Sequence, residues 1–419
     1  MKTFPPAKIR NVALVGHGGS GKTSLAEALL WCSGTTARLG RVDDGSSTCD
    51  FEPEEVRRRL SVSMAVAPFE HRGHKVNLLD TPGYADFAHE VTTALSVADM
   101  AVFVISAVDG VEVGTESAWA QAAALGLPRM IFINKLDRER ADFQATLESL
   151  RESFGAGVAP LELPIGSEGD LRGVADLLSD AAFLYERGSD GRAQVRQAEV
   201  PDDMGPLEHQ VREALVEGIV VADDALMERY LEGDVPLAKE LEDTMAKGVA
   251  QASVFPVVCG SATGLVAIDR LADFLCELGP SPLDRRAVMV SGGDATHPVA
   301  ADPSGQPLAR VFRTIADPYV GKISVLQVLS GTLRPDVVLT SSRTHAEERL
   351  HSLFNLRGKE QDAAVEAPAG DIVAVARLGD VATGDTLAPK GAPVWAPSPV
   401  PPTPLLSVAI RPRSKGDED

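Results

Sequence analysis

The chain has 419 residues, a formal net charge of −20, 44% hydrophobic residues and 24% charged residues. This composition is typical of a globular protein with two or three domains. No apolar run approaches the roughly 18 residues of a membrane span, and the N-terminus lacks the apolar core of a signal peptide. The negative charge opposes non-specific binding to nucleic acid, but it does not exclude a specific RNA-containing partner.

The first part of the chain alternates short apolar runs with helical patterns, which predicts a mainly parallel, doubly wound sheet. The predicted strands are 12–15, 76–79, 100–106, 130–133 and 254–259. The predicted helices are 21–32, 86–97, 114–125, 142–154 and 266–278. Ligands of such sheets bind at the carboxyl ends of the strands, so we expect the functional residues in the loops that follow them.

The remaining segments predict an insertion and further domains. About 120 residues separate the last two predicted strands, and about 100 of them follow the predicted helix 142–154. That stretch is too long for a structureless loop, so 161–252 is expected to be an inserted α+β subdomain of a first domain at 1–285. A Pro/Gly-rich stretch predicts a linker at 286–306. Short β-type runs at 307–404 predict an antiparallel β-barrel, and the apolar run at 405–410 predicts a third-domain stub at 405–419.

The four cysteines show neither metal-ligand spacing nor a C-x-x-C pattern. They are Cys32, Cys49, Cys259 and Cys276. We interpret them as reduced thiols of a cytoplasmic protein.

The clearest motif is a glycine-rich loop at 16–23 that fits G-x-x-x-x-G-K-[ST] between a predicted strand and a predicted helix. Such a loop points successive backbone N–H groups at an anion, and the helix N-terminus adds its unpaired donors. Lys22 reaches the β- and γ-phosphates, and the Thr23 hydroxyl ligates Mg²⁺. The predicted phosphate-binding residues are His17, Gly18, Gly19, Ser20, Gly21, Lys22, Thr23 and Ser24.

Two further motifs follow strands of the same sheet. Asp80 in D-T-P-G is expected to hold the hydration shell of Mg²⁺, and Gly83 is expected to face the γ-phosphate. In N-K-L-D, Asp137 can accept both the N1–H and the 2-amino group of guanine, whereas adenine leaves the carboxylate unpaired.

In the same motif, Asn134 is expected to tie the loops together, and the Lys135 stem is expected to lie along the base and the glycine-rich loop. After the last strand, Ser261 and Ala262 are expected to offer backbone N–H groups to the guanine O6. Together these motifs predict a GTP- and GDP-binding site that uses Mg²⁺. They disfavour a P-loop kinase or an ATPase, because Asp137 selects against adenine.

The chain resembles a translational GTPase, specifically the divergent paralogues of elongation factor G. The motifs that carry the resemblance are D-T-P-G-Y-A-D-F at 80–87, A-V-D-G-V at 107–111, N-K-L-D-R at 134–138, L-P-I-G-S-E at 163–168, D-P-Y-V-G at 317–321 and A-G-D-I at 369–372. The resemblance covers the first two domains of that family and the first strand of the third. It implies a P-loop GTPase domain followed by a β-barrel, in a monomer that binds the factor-binding region of the large ribosomal subunit in protein biosynthesis. Neither a membrane nor a sequence-specific DNA partner is expected.

Three residues depart from the family pattern. Tyr84 replaces the histidine that orients the attacking water, Gly19 replaces an aspartate of the phosphate loop, and Ser61 replaces a threonine that ligates Mg²⁺. A phenol is a poor substitute for an imidazole, so we expect slow GTP hydrolysis, with Tyr84 and Gly83 nearest the chemistry. The alternative is a nucleotide-gated ribosome-binding module with negligible hydrolysis. His17 and His89 lie near the motifs, but neither is favoured as a substitute for the catalytic histidine that Tyr84 replaces.

Overall fold

A computed structural model describes residues 1–202, 204–220, 223–234, 236–293, 295–317, 320–391, 393–399, 407–409 and 411. The expected third-domain stub at 405–419 lies outside the described residues except for 407–409 and 411, and so do residues 318 and 319 of the D-P-Y-V-G motif. Within the described residues, no helix is both long enough and apolar enough to cross a membrane.

The first domain begins with alternating strands and helices. The strands are β1 Ile9–Val15, β2 Ala65–His71, β3 His74–Asp80, β4 Met100–Ser106, β5 Arg129–Asn134 and β6 Val158–Pro160. The helices are α1 Lys22–Cys32, α2 Pro53–Arg58, α3 Ala88–Val97, α4 Val113–Ala124 and α5 Phe143–Phe154.

The inserted segment follows β6, and the chain then returns to the sheet. The insertion contains β7 Glu162–Ile165, β8 Gly173–Asp176, β9 Ala181–Arg187, β10 Ala193–Ala198, α6 Gly205–Val220, α7 Asp224–Leu231 and α8 Ala238–Ala250. The returning elements are β11 Phe255–Cys259 and α9 Ile268–Glu277. Strands β7 to β10 form an antiparallel sheet of their own in the order β10-β9-β8-β7.

The main sheet has seven strands in the order β2-β3-β1-β4-β5-β11-β6. All neighbours are parallel except the edge pair β2 and β3. Strands β1, β3, β4 and β5 are buried along their whole length, as expected for a sheet covered by helices on both faces. Their carboxyl ends therefore meet at one edge, where the loops that carry the motifs begin.

The five predicted strands and five predicted helices are all present, and two strands of the main sheet and the short helix α2 were not predicted. Strand β2 contains Pro68 and three alanine or glutamate positions, which weaken its β-type pattern, and it is stabilised by antiparallel pairing with β3. Strand β6 has three residues, which is too short for periodicity to reveal.

A buried arginine of α9 connects the insertion to the main sheet. Arg270 pairs with Asp176 of β8 and with Asp273 of its own helix at 3.1 Å, and its Nε lies 3.8 Å from Glu162. Burial raises the pKa of Glu162 to about 8, although the charge of Arg270 opposes that rise. The insertion is therefore joined to helix α9 of the first domain by buried ionic contacts, in addition to its chain connections.

The second domain is an antiparallel half-barrel. Its strands are β12 Val288–Gly292, β13 Ala295–Val299, β14 Leu308–Asp317, β15 Gly321–Ser330, β16 Thr332–Leu333, β17 Val338–Ser341, β18 Glu347–Arg349, β19 Leu353–Arg357, β20 Glu360–Ala364, β21 Ala367–Pro368, β22 Ile372–Ala376 and β23 Thr386–Ala388. Eight of them form one curled sheet in the order β18-β17-β23-β14-β15-β22-β19-β20. The stretch 286–306, expected to be a linker, contains the β12–β13 hairpin.

The half-barrel docks on the first domain through buried polar groups. The Lys75 ammonium on β3 donates to Asp371 at 2.7 Å and to Asn355 at 2.6 Å, and its side chain is 2% exposed. Gln327 of β15 donates to the carbonyl of Val97, the last residue of α3, at 2.8 Å. Removal of Lys75 or Asp371 would leave the other buried charge unpaired, at a cost of about 3–5 kcal/mol. The Lys75–Asp371 pair and the Gln327 hydrogen bond therefore hold the half-barrel beside β3 and α3.

Candidate nucleotide-binding site

A cavity of about 180 Å³ lies where β1 and β3 end and α1 begins. Nine of the predicted site residues line it: Gly18, Gly19, Gly21, Lys22, Thr23, Ser24, Ser61, Gly83 and Tyr84. Four residues outside the predicted site also line it: Val42, Asp50, Arg59 and Leu60. The structure thus brings together the glycine-rich loop, the D-T-P-G loop and the segment around Ser61.

The loop backbone requires glycine at two positions. Gly16 and Gly21 have φ values of 141° and 97°, which disfavour residues with a Cβ. A Cβ on Gly16 would lie 2.5 Å from the Val104 carbonyl oxygen, and one on Gly21 would collide with the Asn134 amide. Helix α1 starts directly after this loop, so its first N–H groups have no partner within the helix and remain available to an anion.

Lys22 supplies a buried cation at the floor of the cavity. Its ammonium donates to the carbonyl oxygens of Gly16 at 3.0 Å and His17 at 2.7 Å. Burial lowers the pKa of Lys22 to about 8, and the charges of Asp80 and Asp50 oppose that shift. The cation is therefore held in position by the loop itself.

Two hydroxyls and two carboxylates converge beside Lys22. Thr23 Oγ1 and Ser61 Oγ are 3.0 Å apart, and Asp80 Oδ1 and Asp50 Oδ2 are buried without a hydrogen-bond partner. Burial is the main cause that raises the pKa of Asp80 to about 8 and that of Asp50 to about 6. Mg²⁺ prefers oxygen ligands, and a divalent cation would compensate unpaired carboxylates, so this donor set fits Mg²⁺.

The D-T-P-G loop packs directly on the glycine-rich loop. A Cβ on Gly83 would lie 2.6 Å from the Gly18 amide nitrogen, and one on Gly18 would lie 3.0 Å from the Tyr84 ring. The Tyr84 side chain is nevertheless 47% exposed. Its ring therefore covers the loop at Gly18 and borders the cavity rather than filling it. Gly19 has φ 85° and open space around its Cβ position.

Neither nearby histidine lines the cavity. His17 accepts a hydrogen bond from the Gly114 amide at 3.3 Å and lies 3.4 Å from Glu112. His89 lies 3.2 Å from Glu90 on α3, and its side chain is half exposed. Neither of these two histidines therefore takes the place of Tyr84 at the rim.

The residues predicted to bind the base lie at the ends of β5 and β11. Asn134 donates to the Ser20 carbonyl at 2.9 Å and accepts from the Ala262 amide at 3.0 Å, so it connects three loops. Asp137 Oδ2 accepts from the Thr263 hydroxyl at 3.3 Å, whereas its Oδ1 is buried without a partner. Asp137 Oδ1 is therefore an unused hydrogen-bond acceptor on the residue that the sequence predicts to bind guanine.

The other two residues of the predicted base site are also in these loops. Lys135 has a left-handed backbone with φ 66°, and its ammonium lies 3.8 Å from Asp109. Ser261 is fully buried, and its hydroxyl accepts from the Gly264 amide at 2.8 Å. Neither they nor Asn134 and Asp137 line the 180 Å³ cavity, and the hydrogen bond from Asn134 to Ser20 connects the predicted base end to the glycine-rich loop that borders the cavity, the predicted phosphate end.

Two buried glutamates hold the segment that ends at Ser61, and the sequence did not indicate either of them. Glu27 of α1 accepts from the Ser47 hydroxyl at 2.8 Å and from the Cys49 amide at 3.0 Å. Glu55 of α2 accepts from the Val62 amide at 3.0 Å. An acidic residue in a helical pattern is usually solvated. The burial of Glu27 and Glu55 results from the folding of the segment before Ser61 over α1, which the sequence pattern does not show.

A third glutamate joins the two loops to the half-barrel. Glu90 Oε2 of α3 accepts from the Met64 amide at 2.9 Å, and Arg313 Nη1 of β14 lies 3.0 Å from the same oxygen. Arg313 also donates to the Met64 carbonyl. The segment after Ser61 and the helix after Tyr84 therefore share one contact with the second domain.

Comparison with known proteins identifies both domains. Residues 7–281 match the family model of the elongation factor Tu GTP-binding domain, and residues 307–390 match that of elongation factor G domain 2. A crystal structure of a protein from Thermus thermophilus is 38% identical, with a TM-score of 0.81. That match covers 91% of this chain and 54% of the other, so this chain spans about half of the length of that structure.

Proposed function

The chain belongs to the elongation factor G-like translational GTPases, and from that premise we propose that it binds GTP and GDP with Mg²⁺ and hydrolyses GTP slowly. The carrying observation is that Lys22, Thr23, Ser61 and the unpaired Asp50 line one cavity at a helix N-terminus, with the unpaired Asp80 close to Lys22 and Thr23. A phosphate chain would neutralise Lys22 and the helix N-terminus, and the divalent cation bound to it would neutralise the unpaired carboxylates.

Guanine specificity rests on Asp137. Its unpartnered Oδ1 is ready to accept from a base that presents two adjacent N–H donors, and guanine has that edge. Adenine would leave the carboxylate without a donor, at a cost of about 1–3 kcal/mol or more. Asn134 supports this contact, because it connects the base loops to the phosphate loop.

Thr23, Ser61 and Asp80 would hold Mg²⁺, with Asp50 close enough to contribute its charge. Bound there, the ion would supply charge compensation for the phosphates. The residues of this chain would do the rest: Lys22 would bind the phosphate oxygens, and Gly83 would allow the D-T-P-G loop to approach them without a side chain in the way.

Slow hydrolysis is proposed from Tyr84. A phenol at the rim of the cavity can hydrogen-bond to water, but a phenol does not change its protonation state near neutral pH, whereas an imidazole does. The ring also rests on Gly18, so it is positioned by packing rather than by a polar partner that would orient it. Hydrolysis of a phosphoanhydride depends on the positioning of water, so a weak orienting group lowers the rate.

The second candidate is a nucleotide-gated ribosome-binding module with negligible hydrolysis. The same half-exposed Tyr84 favours it, and so does the Glu90 contact, which would transmit the state of the loops to the half-barrel. In both cases we propose a monomeric cytoplasmic protein whose partner is the large-subunit factor-binding region of the ribosome. Single-turnover GTP hydrolysis with and without ribosomes separates the two candidates.

The nucleotide specificity is tested by titrating the protein with fluorescent GDP and fluorescent ADP in the presence of Mg²⁺. We expect GDP to bind with a Kd at least a hundredfold below that of ADP, and removal of Mg²⁺ to weaken GDP binding. Equal affinity for the two nucleotides, or no binding of either, would overturn the proposed function.

A further inference from the structure

Three consecutive arginines lie on the segment before Ser61, and they differ in their contacts. Arg57 and Arg58, the last residues of α2, both form ion pairs with Glu54, with Arg57 Nη2 2.6 Å from its Oε2. Arg59 lines the phosphate cavity and has no ion pair or side-chain hydrogen bond with any described residue. One of the three guanidiniums is therefore left without a partner in the described part of the chain, beside the place where phosphate is expected.

The backbone holds Arg59 at this position. Helix α2 ends at Arg58, and Arg59 adopts a left-handed conformation with φ 56°, which is unfavourable for a residue with a Cβ. Glu55 fixes the chain on the far side, because it accepts from the amides of Val62 and Ser63, each at 3.0 Å. Strained, non-glycine positions of this kind occur preferentially at functional sites.

The charges of the cavity also leave room for a second cation. Lys22 is the buried cation of the phosphate end, and it faces two carboxylates, Asp50 and Asp80. A nucleoside triphosphate with one divalent cation carries a net charge of about −2 and adds to that negative charge. With Arg59, two protein cations balance two protein anions.

We propose that Arg59 is a catalytic residue that contacts the terminal phosphate of GTP and stabilises the charge that develops during its hydrolysis. The inference rests on the proposed function of the site. In the reaction, water forms a bond to the γ-phosphorus while the bond from that phosphorus to the β–γ bridging oxygen breaks. The bridging oxygen keeps the electron pair and leaves on GDP, and the protons of water end on inorganic phosphate and solvent.

A guanidinium suits this step for a physical reason. It remains charged at any relevant pH, and its planar fork matches two phosphate oxygens. An arginine that stabilises the transition state of phosphoryl transfer typically accelerates it by about 10³–10⁵ when fully enclosed. Because Arg59 is exposed, we expect a smaller factor of about 10–100 from this residue.

The test compares Arg59→Ala and Arg59→Lys with the matched control Arg58→Ala, whose side chain is one position away and already paired. The readouts are the single-turnover GTP hydrolysis rate, the Kd of Mg·GDP, and the gain in GDP affinity when aluminium fluoride is added. Aluminium fluoride with GDP mimics the planar phosphoryl group in transfer, so its binding reports charge stabilisation even where hydrolysis is slow.

We expect Arg59→Ala to hydrolyse GTP about 10–100-fold more slowly than the wild type and to show no gain in GDP affinity when aluminium fluoride is added (the aluminium fluoride gain). Its Kd for Mg·GDP without aluminium fluoride should change by less than about threefold. Arg59→Lys should recover part of the hydrolysis rate and of the aluminium fluoride gain, and Arg58→Ala should behave as the wild type. Equal aluminium fluoride gains in wild type and Arg59→Ala would overturn the proposal, as would the absence of any gain in the wild type. Failure of the wild type to bind GDP would instead overturn the proposed function.

Discussion

The base end and the phosphate end of the site are built in opposite ways. At the predicted base end, Asn134 hydrogen-bonds to the Ala262 amide and to the Ser20 carbonyl of the glycine-rich loop, and Asp137 has one unpaired oxygen. At the phosphate end, Asp50 and Asp80 have unpaired oxygens, and Arg59 has no partner among the described residues. The loops of the base end are thus tied together by Asn134 with one acceptor left open, whereas the phosphate end carries several unpaired charges.

This difference assigns separate tasks to the two ends. A preformed pocket discriminates between bases, because its polar groups do not rearrange to suit the wrong one. A cluster of unpaired charges binds the phosphate chain of any nucleotide together with its divalent cation, whichever base the nucleotide carries. Substitutions at the base end should therefore change selectivity, and substitutions at the phosphate end should change affinity or rate without changing selectivity.

The largest effect is expected for Asp137→Asn. The amide replaces an acceptor by a donor opposite the N–H groups of guanine, so the Kd of GDP should rise about a thousandfold and the preference over ADP should nearly vanish. Fluorescent nucleotide titration measures both. Thr263→Val is the matched control, because it removes only the 3.3 Å hydroxyl contact to Asp137. A variant that keeps the wild-type preference for GDP would contradict the assignment of the base end.

A smaller loss is expected for Lys22→Ala at the phosphate end. Removal of the buried ammonium should weaken GDP and ADP alike by about a hundredfold, or about 2.7 kcal/mol, and leave their ratio unchanged. The same titration checks this, with the melting temperature as a measure of folding, since Lys22 also donates to two loop carbonyls. A changed GDP-to-ADP ratio would break the separation between the two ends.

The smallest effect is the pH dependence of the nucleotide-free protein. The folded-state pKa values of Asp80 and Asp50, about 8 and about 6, lie above that of an unfolded aspartate, so the folded state binds more protons from about pH 4 upward. Its free energy of unfolding should therefore fall as pH rises, with Asp50 contributing up to about pH 6 and Asp80 up to about pH 8.

Urea unfolding at pH 5, 6 and 7 measures this dependence in the absence of nucleotide. Asp80→Asn should remove about 1 kcal/mol per pH unit from the slope, and Asp137→Asn should leave the slope unchanged. Equal slopes for the wild type and Asp80→Asn would mean that the carboxylate is already compensated without a ligand.

The sequence predicted the sheet and the loops that carry the motifs more fully than the segment around Ser61, which lines the cavity. Continuous apolar runs define buried parallel strands, and the motifs follow them at fixed positions, so Lys22, Asp80 and Asn134 were accessible from pattern alone. Arg59 was not, because its role depends on a left-handed backbone and on its neighbours being paired with Glu54.

The same limit applies to Asp50, Glu27 and the edge strand β2. Asp50 and Glu27 are ordinary acidic residues in sequence, and only the fold of the segment over α1 buries them. Strand β2 forms because β3 offers an edge for antiparallel pairing, which is a tertiary effect that overrides its weak local pattern. Such features depend on long-range contacts that a single sequence does not display.

The central claim is that the site keeps its nucleotide cradle while Tyr84 slows hydrolysis. The most direct measurement is single-turnover GTP hydrolysis by the wild type and Tyr84→His, with and without ribosomes, together with the GDP affinity of both. We predict that Tyr84→His hydrolyses GTP at least tenfold faster with ribosomes and binds GDP with unchanged affinity. A wild type that hydrolyses GTP as fast as Tyr84→His would contradict the account.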